Sequence, residues 1–384
     1  MSTDGLPGSI PPGAAQPEPA SSAGGLRFNA IVIGVAATLA SLVMLHQFAS
    51  FIGPLFLALN LMITAHPLHT WLVRRGTPSW LSATVVSLTV FAVLLAMIVG
   101  AIWAVNEMIG ILPHYTDEFR QLYHQAEDLA IRLGLDSAAM GRVLSCIDPN
   151  RFIGAATSLV SGASGFLSML GVVVAAIVFM AMDTPQIAGR MRHIAYDRSR
   201  IARAMTQFAT GVRRYWLVTT IFGLIVAVLD GFSLALLGVP LTLVWALFSF
   251  LTNYIPNIGF VIGLIPPALV ALFAKGWQTA LLVIIIYSVL NFVVQSIIQP
   301  RVAGESVGVT PTVSFVSLLL WTAVIGSLGS LLALPLTLLV KALVIDADPR
   351  ARWINALIAA DPGDAEEPEP DRADRTRRWR WLDR

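Results

Sequence analysis

Charge and cysteine are what this 384-residue chain has least of: 12% of its residues are Asp, Glu, Lys or Arg, and Cys146 is its single cysteine. An ordinary soluble domain carries about twice that share of charge, so composition argues against a water-soluble enzyme. One cysteine forms no intrachain disulfide, and no Cys/His spacing points to zinc. The net charge of +2 gives no long-range field for nucleic acid. Enzyme signatures are also missing: there is no His-Glu-x-x-His, no phosphate-cradling Gly-Lys-Ser/Thr loop and no Gly-x-Ser-x-Gly elbow. No catalytic residue, cofactor or metal site is therefore expected. His66 and His69 stand three apart near a helix end, and are read as ordinary polar termini rather than a metal pair. With no ATP-binding domain, any uphill movement must draw on an ion gradient or an outside partner.

Hydrophobic residues make up 56% of the chain, and they are segregated from the charges. Six windows, 28–73, 76–106, 152–182, 215–274, 276–300 and 306–340, contain a single Asp, Glu, Lys or Arg, which is Asp230. Uncharged apolar runs of about 18 residues or more are what the ~30 Å hydrocarbon core of a bilayer demands of helices, because each buried amide must bond within its own segment. The fold class is all-α: a multi-pass helical membrane protein with about eight membrane segments, two of them broken or re-entrant.

Along the chain, residues 1–27 hold five Pro and five Gly with almost no charge, and read as a disordered tail. Scaffold spans 1–3 occupy 28–106, with the first window divided near Gly53 and Pro54 into helices at roughly 28–48 and 52–71. Residues 107–151 form a soluble insertion with seven acids and four bases. In it Phe119, Leu122, Tyr123, Ala126, Leu129, Ala130 and Leu133 recur at helical spacing, an amphipathic stripe read as a packing surface. Span 4 covers 152–182. The segment 183–214 carries seven Arg against Asp183 and Asp197, and the 74–79 loop opens with Arg74 and Arg75. Both are placed on the cytoplasmic side, which puts the insertion outside and both termini inside. These basic segments are expected to sit on anionic lipid, and no nucleic-acid partner is expected. The tail 346–384, with Arg372, Arg375, Arg377, Arg378 and Arg380 interleaved with Trp379 and Trp381, reads as a charged interfacial anchor.

Within 215–345 the pattern changes. The apolar stretches 240–254 and 258–274 are short for crossing and are divided by NYIPNIG; 312–325 and 331–345 are divided by GSLGS. Each break is followed six or seven residues on by a proline, Pro266 or Pro335. Exposed backbone at membrane depth is tolerated only where protein or a water-filled cavity receives it, so such breaks point to a transport pathway. Two geometries fit: a pair of hairpins entering from opposite faces, or two long kinked spans. Candidate pathway residues are Pro256, Gly259, Gly326 and Gly329 at the breaks, Asn253 and Asn257 beside the first, and Asn291, Gln295 and Gln299, which with Ser288 share a helical face.

Asp230 is a further candidate, because a carboxylate inside a span costs roughly 2.5–3.5 kcal/mol even on the lenient insertion scale. It reads either as a proton- or cation-coupling group or as a carboxylate satisfied by local donors. The amides likewise read either as lining a path or as bonding neighbouring helices.

The run LLGVPLTLVWALFSFLTNYIPNIGFVIGLIPPALVALFAKG, with QPRVAGESVGVTPTVSFVSLLLW and IGSLGSLLALPLTLLVKAL after it, closely resembles the autoinducer-2 exporter-like (AI-2E, PerM-type) membrane family. The resemblance rests on Gly238 to Pro240, Pro256 with Gly259, Pro300 with Gly304, Pro311, Gly326 with Gly329, and Pro335, within about residues 215–345. It implies an eight-segment bacterial inner-membrane protein, export of the quorum-sensing autoinducer or other small solutes, sodium/proton exchange in some relatives, and ring-like homo-oligomers, pentameric where known. Many relatives carry Glu six residues before the proline matching Pro300. Here that residue is Val294, which leaves Asp230 to supply a coupling carboxylate. The expected function is secondary export of a small polar solute coupled to protons or sodium. A passive oligomeric channel and a scaffold acting through the external insertion are the alternatives.

Overall fold

The computed structural model describes residues 22–111, 163–256, 258–299 and 309–347, with a few isolated positions besides. Most of the expected insertion and of the two tails lies outside the described residues, as do Asn257, Pro300 and Gly304. What is described is helical, without a strand. In chain order the helices are α1 (Ser22–Gln47), α2 (Ala49–Arg74), α3 (Ser79–Ile111), α4 (Ala163–Asp197), α5 (Ser199–Leu236), α6 (Thr242–Thr252), α7 (Gly259–Lys275), α8 (Trp277–Asn291), α9 (Pro311–Ile325) and α10 (Ser327–Val340). Wider π-helical turns extend α8 over Phe292–Ile298 and α10 over Lys341–Asp346. α1 forms a compact unit of its own, and the chain from Ala49 onward forms a second.

Several boundaries differ from those expected. Residues 22–27, assigned to the tail by composition, belong to α1. The basic segment 183–214 is no separate element: it is helical throughout except at Arg198, the last turns of α4 and the first of α5. Helix propagation explains both, since each added residue gains one backbone bond and the helix outruns its apolar window.

Five helical stretches among the described residues are long and apolar enough to cross a membrane: α2, α3, α5, α8 with its π extension, and α10 with its own. By contrast α6 has 11 residues, and at 1.5 Å per residue it reaches about half the hydrocarbon thickness. Both breaks turn out to be antiparallel helical hairpins rather than kinked spans. A Cβ on Gly263 of α7 would meet Thr252 and Ser249 of α6, so the two helices lie side by side. In the second hairpin the Trp321 indole of α9 donates to Thr337 Oγ1 of α10 at 3.0 Å, and Thr337 donates to Ser317 at 2.8 Å. Gly326 makes that reversal in a single residue with φ +77°, a conformation that L side chains rarely adopt.

α6 sits at the centre of the packing. Val244 and Trp245 are buried in one cluster with Ala104 of α3, Leu234 of α5, Val270 and Ala271 of α7, and Val283 and Tyr287 of α8. Prolines pass through several helices, and one freed carbonyl has a visible partner. Pro67 has no N–H to offer Ile63, and the Ile63 carbonyl instead accepts from Arg213 Nε of α5 at 3.4 Å.

Candidate functional site

Asp230 lies in the middle of this packing with 0% exposure. Its Oδ2 accepts a short 2.6 Å hydrogen bond from Ser249 Oγ of α6. Its Oδ1 makes no hydrogen bond. Gly231, beside it on α5, lets α6 approach until a Cβ there would stand 2.9 Å from Ala246 Cβ, and this closeness is what brings Ser249 within reach. Tyr287 of α8, also 0% exposed, is near enough to interact electrostatically with the carboxyl group, and its hydroxyl has no partner. No Lys, Arg or His among the described residues is within ion-pair distance of Asp230.

One turn away on each neighbouring helix, amides continue the polar set. Asn291 Nδ2 donates to the Tyr287 carbonyl at 2.9 Å. Gln295 Nε2 donates to Asn291 Oδ1 at 2.9 Å and reaches Asn253 Oδ1, at the end of α6, at 3.3 Å. Asn253 Nδ2 is buried without a partner. Ser249 and Asn253 are four apart in the chain, so the amide chain Asn253, Gln295 and Asn291 ends one turn from the Asp230–Ser249 pair. The π-helical turn begins at Phe292. Wide turns of this kind frequently mark functional sites, and here the turn carries Gln295 inward toward α6.

Of the residues singled out in the sequence, the structure therefore joins Asp230, Asn253, Asn291 and Gln295. Gln299 is half-buried at the end of the same helix. Ser288 is exposed, and the polar position on the buried face is Tyr287. Sequence reasoning passed over Tyr287 and Ser249, although each stands four residues before an amide already noted. Pro256 and Gly259 form the turn of the first hairpin: Ile258 N donates to Pro256 O at 2.7 Å and Gly259 N to Ile255 O at 3.0 Å. Gly259 is buried so tightly against the Thr252 carbonyl that no Cβ fits. Gly326 and Gly329 lie elsewhere. Their hairpin tip packs on α2, where a Cβ on Gly53 would stand 3.0 Å from Leu328 and 3.2 Å from Ile325.

Val294 is buried with Phe222 and Val226 of α5, so an apolar side chain fills the place where the family resemblance puts a carboxylate. His69 shares a 2.8 Å hydrogen bond between its Nδ1 and Ser82 Oγ, which ties α2 to α3. No cluster of three metal-ligating side chains occurs among the described residues. A surface groove of about 250 Å³ runs beside α9 and α10, lined by Val313, Val316, Trp321 and Val340 among others. Its indole is already bonded to Thr337, so it has little to orient a polar solute.

Long apolar helices, two helical hairpins and a carboxyl group buried among amides and hydroxyls define an integral membrane protein of the transporter class. The chain belongs to the AI-2E transporter family, whose model matches residues 31–347. It is 30% identical over 311 residues to "Putative transport protein YhhT" of Escherichia coli strain K12, an alignment covering 81% of this chain and 89% of that one. It is likewise 30% identical over 293 residues to "AI-2 transport protein TqsA" of the same strain, covering 76% and 85%.

Proposed function

We propose that this protein is a secondary transporter exporting a small polar solute, autoinducer-2-like in size and polarity, with Asp230 as the group that couples movement to protons or sodium. One observation carries the reading: a fully buried carboxyl group with one free oxygen, set among hydroxyls and amides where α6 breaks off part-way. A site of that kind offers hydrogen bonds to a polar solute and a place for a positive charge, both at membrane depth. Kinship with a protein named as an AI-2 transporter supports the solute class.

In this reading the first hairpin and α8 form the moving part, carried against the scaffold of the earlier helices, and the two hairpins enter the membrane from opposite faces. The protein resides in the cytoplasmic membrane as a homo-oligomer with both termini inside. Exposed Arg190, Arg198 and Arg200 rest on anionic lipid.

The test is flux of labelled autoinducer-2 in proteoliposomes under imposed proton or sodium gradients. Gradient-driven accumulation supports the reading. Flux that only equalises concentrations makes the protein a passive channel, and absence of flux with a requirement for 107–151 in cells makes it a scaffold.

A further inference from the structure

The polar groups on α5 do not stop at Asp230. Seven residues earlier, Gly223 faces Asn253, whose Cβ would stand 3.6 Å from a Cβ placed on the glycine. Below that level Thr220 Oγ1 and Tyr254 Oη share a 3.0 Å hydrogen bond. Next come Trp216, whose indole N–H points at Asn60 Oδ1 at 3.5 Å, and Tyr215, whose hydroxyl lies beside Thr219 without a well-formed hydrogen bond. The series ends at Arg213, with His66 facing it from α2. From residue 216 to residue 230 is about 21 Å along a helix, roughly two-thirds of the hydrocarbon thickness.

Four buried polar atoms on this one seam, Tyr287 Oη, Asp230 Oδ1, Asn253 Nδ2 and Tyr215 Oη, have no hydrogen-bond partner in the protein. Each such atom left dry keeps its full desolvation penalty, and polar interior sites of this kind are where proteins hold water. Asp230 and Tyr215 lie on α5, with Tyr287 of α8 beside the former and Asn253 at the end of α6 between them.

We infer that the face of α5 that meets α6 and α8 at its Asp230 end and α2 at its Arg213 end holds a file of internal water that gives Asp230 proton access from the Arg213 end, the side on which the basic helical turns lie. A hydronium in the file gives its proton to Asp230 Oδ1 and is left as water; the reverse transfer returns the proton. Ser249 of α6 and Tyr287 of α8 are the groups facing the carboxyl, and Arg213 with His66 stands at the entrance. The water file rests on the geometry alone, whereas its use in coupling rests on the transport reading above.

X-ray hydroxyl-radical footprinting of the full-length protein in nanodiscs tests it, because radicals form from water at the spot where it sits. Tyr287 and Tyr254, 0% and 7% exposed, should be modified at rates comparable with Tyr196, which is 93% exposed. Asn253→Leu should slow labelling of Tyr287 while leaving Tyr196 unchanged, and should slow proton uptake by proteoliposomes. Labelling confined to Tyr196 in the wild-type protein overturns the proposal, whatever the variant does. A dry seam with intact gradient-driven transport removes the water file and leaves the transport reading. A wet seam without transport does the reverse.

Discussion

Asp230 and Ser249 share the shortest hydrogen bond of the polar set, and substitutions at the two positions separate chemistry from stability. Asp230→Asn keeps an oxygen to accept from Ser249 and removes only the exchangeable charge. The variant should fold and assemble as the parent does but lose gradient-driven flux, and normal coupled flux in it would remove Asp230 from the mechanism. Ser249→Ala leaves the carboxyl group with no hydrogen bond from the protein, and should lower stability by about 1–3 kcal/mol in a denaturation assay. The sequence exposed Asp230 through its rarity, as the only Asp, Glu, Lys or Arg in six apolar windows. Ser249 and Tyr287 were not legible in the same way, because hydroxyls are common in membrane helices and matter only once a partner faces them.

At the scale of elements, the hairpins depend on glycines for a steric reason. A Cβ on Gly259 would run into the carbonyl of Thr252, and one on Gly329 into that of Trp321. Since backbone cannot yield as a flexible side chain does, Gly259→Ala or Gly329→Ala should each cost more than about 3 kcal/mol, seen as loss of a monodisperse peak in size-exclusion chromatography. Gly53→Ala presses only on the Ile325 and Leu328 side chains. It should cost about 1–3 kcal/mol and be read as a lowered melting temperature with the fold retained. Gln295→Ala severs the amide link between α8 and the end of α6; amide hydrogen exchange at 250–256 should rise while α9 is unaffected. These breaks were visible in the sequence because Pro and Gly act on the backbone locally. The π-helical turn at Phe292 was not, since nothing in FVVQSII departs from an ordinary apolar helix.

For the whole molecule, the single native cysteine makes topology measurable. In a Cys146→Ser background, a cysteine at Lys275 should react with an impermeant maleimide from outside the cell and one at Arg301 only after the cytoplasmic side is opened; the opposite pattern would invert the placement of the hairpins. By itself the sequence determined that this chain lives in a bilayer, that it is helical, and where its two hairpins turn, because hydropathy and backbone-breaking residues act within a few positions of themselves; the first division it put near Gly53 and Pro54, which lie inside α2, falls instead at Phe48. Only the tertiary structure decided that the breaks are antiparallel hairpins, that Asp230 meets Ser249, and that Ile325 and Leu328 at the second hairpin tip sit against α2. Those outcomes depend on close approach between residues from 11 apart in the chain, as in Thr252 with Gly263, to 275 apart, as in Gly53 with Leu328, and no local pattern encodes which helix faces which.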